Sequence, residues 1–428
     1  MFRGNTMSED WENVILLSAD ALRADHLSCY GYHRETSPVL DELAEESIRF
    51  TNAYSASSHT REAVPALLTG EYPDVAVDSN YHLDSDTMAS ILSEDGFSTA
   101  GFHSNPYVSR AYGYDRGFDV FDDDLHLGQH KLIALAQRAW DKIRDRHYAR
   151  AEEINERSLK WIDSLDSGES LFLWNHYMDT HGPYEPPEGY ATLYTDRTIS
   201  NRDAQSLYQR AIHNPDSITD EERQLLIDLY DAEIKYNDAW IGEMLESLRE
   251  RGLLEESLLI VTADHGDAFG EHGYYEHPRY LHDEITHVPM FVRPPGGSTG
   301  QKETTPVSTL DVMATIKRVV SQEPAVEGMS LLEPLPVDRM VFLQARGEDE
   351  DSHLRRYSLR SVKGACFCER DGESDAIEFV DWDDRSLRSE LNAHVKSRVR
   401  REDDDGEADG TEIDEEIERR LTALGYKE

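Results

Sequence analysis

Residues Leu258–Gly297 read LLIVTADHGDAFGEHGYYEHPRYLHDEITHVPMFVRPPGG, a short apolar run that passes directly into a cluster of carboxylates and imidazoles. Leu258–Thr262 has the length and uniform apolarity of a strand buried on both faces, as in a parallel sheet covered by helices. Asp264, His265 and Gly266 follow where that strand ends. Ligands of open α/β sheets bind outside the carboxyl ends of strands. Asp and neutral His offer an anionic oxygen and an imidazole nitrogen to a divalent cation, and Gly266 lets the backbone turn away tightly. The stretch is expected to hold a metal.

Two further apolar runs end the same way. Asn13–Ser18 (NVILLS) leads into Asp20, and Leu171–Asn175 (LFLWN) leads into His176, Asp179 and His181. Between them, Ser37–Phe50 has a helical pattern, with Ser37 at the N-cap, Pro38 in the first turn and Leu40, Leu43 and Ala44 on one face. The segment NAYSASSHTREAVPALLTGEYP (52–73) places Ser57, Ser58 and Thr60 just ahead of a short helix over Ala63–Thr69 that Gly70 and Pro73 close. A hydroxyl in that position either caps the helix or is activated by its dipole.

The chain has 428 residues, enough for one large core with a smaller appendage. It carries 43 Lys plus Arg against 86 Asp plus Glu, a formal charge of -43, which excludes nucleic acid and anionic membranes as natural partners. The same field repels an anionic substrate, so a local cation or basic pocket must reverse its sign at the site. This composition resembles the solvated surfaces of halophilic, salt-adapted cytoplasmic proteins; unchanged folding in dilute buffer and in molar salt would count against that. Cys29, Cys366 and Cys368 cannot form a disulfide framework, and the C-F-C pair has the wrong spacing for a zinc knuckle. The start, MFRGNTMSEDWEN, has no apolar signal core, and no run is long enough to span a membrane. A cytoplasmic location is expected; the oligomeric state is open.

Thr219–Arg251 opens with a capping box, Thr219 and Glu222, and ends before Gly252, with Leu226, Tyr230, Trp240, Ile241, Met244 and Leu248 facing the core. Lys131–Leu165 has Leu132, Leu135, Ala136, Trp140 and Ile143 at helical spacing, as in an outer amphipathic helix. Asn201–Pro215 reads as a surface loop or short helix over the site. Thr304–Val320 reads as a helix closing the main domain, and Asp338–Trp382 as antiparallel strands. The charge run Arg401–Glu412 is expected to be a solvated loop, followed by a last helix with Ile413, Ile417, Leu421 and Leu424 in one stripe. The expected division is a catalytic domain over 10–335 and a C-terminal subdomain over 336–428.

NVILLSADALRADHLSCYGYHRETSPVLDELAEESIRFTNAYS (13–55), PALLTGEYP (65–73) and the stretches 95–124, 171–187 and 229–297 together resemble the sulfatase family of the alkaline phosphatase superfamily, in the family's order. The resemblance implies an α/β fold: a central mixed sheet sandwiched by helices, with a smaller C-terminal antiparallel sheet plus helix. It implies hydrolysis or transfer of sulfate or phosphate esters at a metal-bound nucleophile. Asp20 matches the first metal carboxylate, while Ala21 stands where many sulfatases have a second Asp. Thr60 occupies the slot of the Cys or Ser that becomes formylglycine, and Glu62 and Val64 replace the Pro and Arg of C-x-P-x-R. Formylglycine is therefore not expected. Threonine is the nucleophile of the superfamily's phosphodiesterase and phosphoglycol transferase branches.

The resemblance assigns one divalent ion (Ca, Mn, Mg or Zn) to Asp20, Thr60, Asp264 and His265. His181, in H-G-P-Y, and His277 are the candidates for contacting the ester and protonating its leaving group. Arg61, His176, His103 and Asn105 are candidates for lining the substrate pocket, with a surface salt bridge as the alternative role for Arg61, and His272 and His282 are weaker ones. A second ion on Asp179, His181 and His277 ranks below the single-ion arrangement. The resulting expectation is a sulfatase-family hydrolase in which metal-bound Thr60 attacks a small-molecule, glycan or lipid-headgroup ester. The rivals are a phosphodiesterase or phosphoglycol transferase of the same superfamily and a non-catalytic, sulfatase-like binding protein.

Overall fold

The computed structural model describes residues 11–125, 148–320, 327–380, 386–402 and 420. Its eight-stranded sheet contains β1 (Asn13–Ala19), β2 (Ile48–Phe50), β3 (Ser98–Phe102), β4 (Val120–Asp122), β5 (Leu171–Tyr177), β6 (Ser257–Ala263), β7 (Met290–Arg293) and β8 (Gln301–Glu303). The strand order is β8-β2-β7-β6-β1-β5-β3-β4. The three apolar runs are β1, β5 and β6, adjacent, parallel and buried at every residue. β7 runs antiparallel to both β6 and β2, which makes the sheet mixed.

Helices cover this sheet. α1 (Pro38–Glu45) buries Leu40, Leu43 and Ala44 as the pattern predicts. It stops earlier than Phe50, because Ile48–Phe50 pairs with β7 and β8 as an inner strand. α2 (Thr60–Thr69) begins at Thr60 itself and ends at Gly70 in the left-handed conformation. A Cβ on Gly70 would lie 2.5 Å from Met313 Cβ, so glycine meets both a backbone and a packing demand there.

α3 is Ala151–Ile162, and residues 131–147 of the longer expected helix lie outside the described residues. α4 (Asn201–His213) takes the helical of the two expected forms. It seats the Tyr208 ring where a Cβ on Gly182 would be, 2.1 Å from Tyr208 Cζ.

α5 (Asp220–Glu250) carries the expected capping box: Thr219 Oγ1 accepts from Glu222 N at 3.2 Å, and Glu222 Oε2 accepts from Thr219 N at 3.1 Å. Thr219→Ala is expected to lower unfolding free energy by about 1 kcal/mol, read as a shift of the urea midpoint with unchanged slope. The expected helix over Thr304–Val320 is shorter, α6 (Asp311–Val319), because Val307–Ser308 pairs with Ala53–Tyr54.

A separate antiparallel sheet follows: β9 (Met340–Arg346), β10 (Leu354–Ser361), β11 (Gly364–Asp371) and β12 (Ile377–Val380), in that order. α7 (Leu387–Glu402) packs on it through Leu387, Leu391 and Val395, beside the buried Cys366 and Cys368. The sheet touches the main body next to α2, where Gln344 N donates to Ala56 O at 2.9 Å and Arg346 N donates to Glu62 Oε1 at 3.2 Å. The expected acidic loop and terminal helix, apart from Arg401, Glu402 and Arg420, lie outside the described residues. Among the described residues, no helix is long and apolar enough to cross a membrane.

Candidate active site

The register of three strands sets the floor of the site. Ala19 lies opposite Tyr177 on one side and Ala263 on the other, so β1, β5 and β6 end level. The residues that follow, Asp20 and Asp264, therefore emerge side by side at the carboxyl edge. Both are fully buried.

Each carboxylate is satisfied on one oxygen only. Asp20 Oδ2 accepts from Asn105 Nδ2 at 2.6 Å and faces His176 Nε2 at 3.4 Å. Asp264 Oδ1 accepts from the backbone N–H groups of Ala21 at 3.2 Å and His265 at 2.8 Å. Asp20 Oδ1 and Asp264 Oδ2 have no hydrogen-bond partner. Both point at His265 Nε2, each at 3.5 Å.

His265 Nδ1 donates to Gly266 O at 3.0 Å, which leaves a lone pair on Nε2. Thr60 Oγ1 lies 3.1 Å from that same Nε2. Four electron-rich atoms thus converge with a single hydroxyl hydrogen among them. Such a set is unstable when dry unless a cation sits within it. Two anionic oxygens, an imidazole nitrogen and a hydroxyl suit one divalent ion. Asp20, Asp264, His265 and Thr60 fit the expected group on this geometry.

The electrostatics follow the same layout. Burial drives the Asp20 carboxyl up, but the His181, His176 and His265 rings outweigh it and hold the group below the usual carboxylate range. Burial raises Asp264, and the neighbouring Asp20 charge raises it further.

Local backbone chemistry supports the arrangement. Ala21, where a second Asp would add a ligand, adopts φ 57 and uses its amide to anchor Asp264 instead. Gly266 passes so close to Glu284 that a Cβ would lie 2.4 Å from the Glu284 carbonyl oxygen. Thr60 opens α2, with His59 as N-cap accepting from Arg61 N at 3.2 Å.

Beside this set stands a second buried cluster. His277 Nδ1 lies 2.7 Å from Asp267 Oδ1, and Tyr184 OH donates to Asp267 Oδ2 at 2.6 Å. The His277 ring centroid is 4.3 Å from His265, 5.1 Å from His181 and 5.3 Å from His59. Burial, with His265 adding to it, pushes His277 down to about 4 despite the opposing Asp267 charge.

Asp267 and His59 were not singled out from sequence. A signal for Asp267 exists: Gly270 and Gly273 turn a short hairpin in which Ala268 pairs with Glu276. The residues flanking that pair, Asp267 and His277, must then meet.

Other candidates are placed differently. His176 lies within the carboxylate cluster, its Nδ1 2.9 Å from Ser18 Oγ, rather than on a substrate wall. His103 stays out of the cluster, packed between Phe121 and Trp174, and burial pushes it down to about 3. Asp179 is occupied by Arg150 Nη1 at 3.4 Å and Ala151 N at 2.9 Å, so Asp179, His181 and His277 do not form a second ion's ligand set. The residues that do cluster next to the first set are His265, Asp267 and His277. His272 and His282 stack on each other at 3.8 Å, with His272 on Glu284. Arg61 lies over Tyr81 and Tyr107, at 3.9 and 4.9 Å from their ring centroids.

A family model described as Sulfatase matches residues 12–320. The chain is 25% identical to an arylsulfatase of Clostridium perfringens over 74% of its own length and 77% of that protein's. It is 24% identical to mouse iduronate 2-sulfatase over 69% of its own length, and that match spans only 61% of the mouse protein. Among solved structures, a phosphonate monoester hydrolase from Silicibacter pomeroyi superposes with a TM-score of 0.67 at 20% identity, covering 91% of this chain and 95% of that one. That structural likeness establishes an alkaline-phosphatase-like fold.

Proposed function

This chain belongs to the sulfatase family, and from that premise we propose that it is a metal-dependent hydrolase of sulfate or phosphate esters whose nucleophile is Thr60. One observation carries the reading. Two bare carboxylate oxygens, the Nε2 lone pair of His265 and the Thr60 hydroxyl meet in one buried spot.

Asp20, Asp264, His265 and Thr60 would hold a single divalent ion. When bound, that ion supplies positive charge that lowers the proton affinity of the Thr60 hydroxyl, polarises an ester oxygen and offsets the chain's negative field. Thr60 Oγ1 attacks the sulfur or phosphorus in line with the leaving alcohol. His277, neutral at rest, takes up the proton that Thr60 gives up and hands it to the departing alcohol oxygen as the bond to it breaks, and the group rests as an ester on Thr60 until water cleaves it. His277 Nε2 is the atom through which a proton passes to or from the oxygen, because Asp267 ties up Nδ1. His181, 5.1 Å from His277 by ring centroids, completes that wall.

Asp267→Asn is expected to lower kcat by about a hundredfold for an ester with a basic leaving group and far less for a nitrophenyl ester. Leaving-group dependence separates this loss from a structural one. Equal losses on both esters would remove His277 from the proton transfer.

A phosphodiester or phosphonate substrate is the second reading. Thr60 in place of a formylglycine precursor and Ala21 in place of a second Asp favour it. Turnover of matched nitrophenyl sulfate, phosphate monoester and phosphodiester in high salt, with added manganese or calcium, tests both. Preference for sulfate makes the protein a sulfatase working with threonine; preference for the diester moves it to the phosphotransfer branch. No turnover and no bound metal would leave only a binding role.

A further inference from the structure

Arg49, Arg116 and Arg223 donate to backbone carbonyls rather than to a carboxylate. Among the described residues Arg61 has no carboxylate in ion-pair range either. Its contacts are the faces of Tyr81 and Tyr107. The neighbouring arginines are matched. Arg279 pairs with Glu62 at 3.1 Å and with Glu348, and Arg346 Nε reaches Glu62 at 3.6 Å. Arg61 reaches neither of these carboxylates within ion-pair distance, although, against the effect of burial, the charge of Arg279 with that of Arg61 holds Glu348 below the usual carboxylate range.

The aromatic clamp around that charge is built into the fold. Tyr81 sits at φ 63, a conformation that a bulky residue adopts only when its surroundings enforce it. Asp78 enforces it here: its carbonyl accepts from Tyr81 N at 3.1 Å, and its Oδ1 accepts from Asn80 N and His82 N, each at 2.8 Å. Arg346 and Arg279 also face the Tyr81 ring, at 5.1 and 5.8 Å. Stacking occupies the flat faces of a guanidinium and leaves its edge N–H groups to bind an oxyanion.

The clamp also adjoins the reaction centre. Arg61 follows Thr60 directly, and Tyr107 lies 5.4 Å from His59, which in turn lies 5.3 Å from His277. Tyr107 is two residues from Asn105, the donor to Asp20.

We infer that Arg61, held between Tyr81 and Tyr107, forms a subsite for a second anionic group, so that the substrate is an ester whose alcohol part itself carries a sulfate, phosphate or carboxylate. The inference rests on the ester-hydrolase reading above. It also supplies, outside the metal cluster, the local basic pocket that the chain's overall charge requires.

The test is calorimetric titration of the full-length, metal-loaded protein at constant ionic strength, with benzenesulfonate and with benzene-1,3- and 1,4-disulfonate. These probes carry sulfonates in place of cleavable esters, so binding is read without turnover. At least one disulfonate is expected to bind about tenfold or more tightly than the monosulfonate. Arg61→Gln is expected to abolish most of that difference. Arg61→Lys keeps the charge but loses the stacked plane and should fall between. If the wild-type protein binds monosulfonate and disulfonates alike, or if the preference survives Arg61→Gln, the subsite is overturned while the ester site stands. If none of the probes binds, both readings fall.

Discussion

Thr60→Ala is expected to reduce ester turnover on the order of a thousandfold or more, with the far-UV spectrum and the cooperative unfolding transition retained. The fold should tolerate the change for local reasons. The Thr60 side chain makes one hydrogen bond, to His265 Nε2, and His59 rather than Thr60 caps the helix. Alanine is also the better helix former. Chemistry, by contrast, loses the hydroxyl that lies on His265 Nε2, the atom at which the bare oxygens of Asp20 and Asp264 point. Thr60→Ser keeps that hydroxyl and should retain much of the rate. Full activity in Thr60→Ala would end the nucleophile assignment, and an equal loss in Thr60→Ser would show that shape rather than the hydroxyl matters.

The second large effect concerns the metal. Chelation is expected to lower activity at least a hundredfold, with recovery on adding back one divalent ion per chain. It should also lower thermal stability, since a ligand that binds only the folded state contributes about 2.7 kcal/mol when present at 100 times its Kd. Asp264→Asn gives a sharper test, because Oδ1 is pinned by the amides of Ala21 and His265. The new amide N–H groups must then occupy the Oδ2 position, 3.5 Å from His265 Nε2. They remove one of two mutually repelling charges and donate where a donor is lacking. The metal-free variant should therefore unfold at a higher temperature than metal-free wild type, yet gain little on adding metal and show little activity. Melting curves with and without the ion read both effects. A metal-free variant less stable than metal-free wild type would mean that the bare oxygens do not make up a cation site.

The longest-range features of the fold were legible because they rest on composition along short runs. β1, β5 and β6 are each uniformly apolar and end in polar residues, and a strand buried on both faces admits no other pattern. The capping box of α5 is equally local, a hydroxyl and a carboxylate three residues apart. Boundaries were lost where pairing decided them. Ile48–Phe50 continues the apolar spacing of α1, yet it is taken by β7 and β8, an exchange of hydrogen bonds that helix propensity does not register.

The site divides in the same way. Asp20, Thr60, Asp264 and His265 were nameable because each lies at the end of a strand or the start of a helix, inside a stretch resembling a known family. Roles that depend on direction were not. His176 alternates into the carboxylate cluster while His103 turns between Phe121 and Trp174, although both follow or end apolar strands. Asp179 looked like a ligand until Arg150 and the α3 N-terminus claimed it.

By itself the sequence determined the α/β class, the family and which polar residues stand at the carboxyl edge of the sheet, since these follow from residue type and position along a strand. Tertiary structure alone decided which oxygens are left bare, which histidine Asp267 orients and which arginine stacks on Tyr81 and Tyr107. Each of those depends on partners brought together from distant segments, such as Asn105 with Asp20 or Glu62 with Arg279. Buried charge and hydrogen bonding act over a few ångströms in space, whatever the distance along the chain.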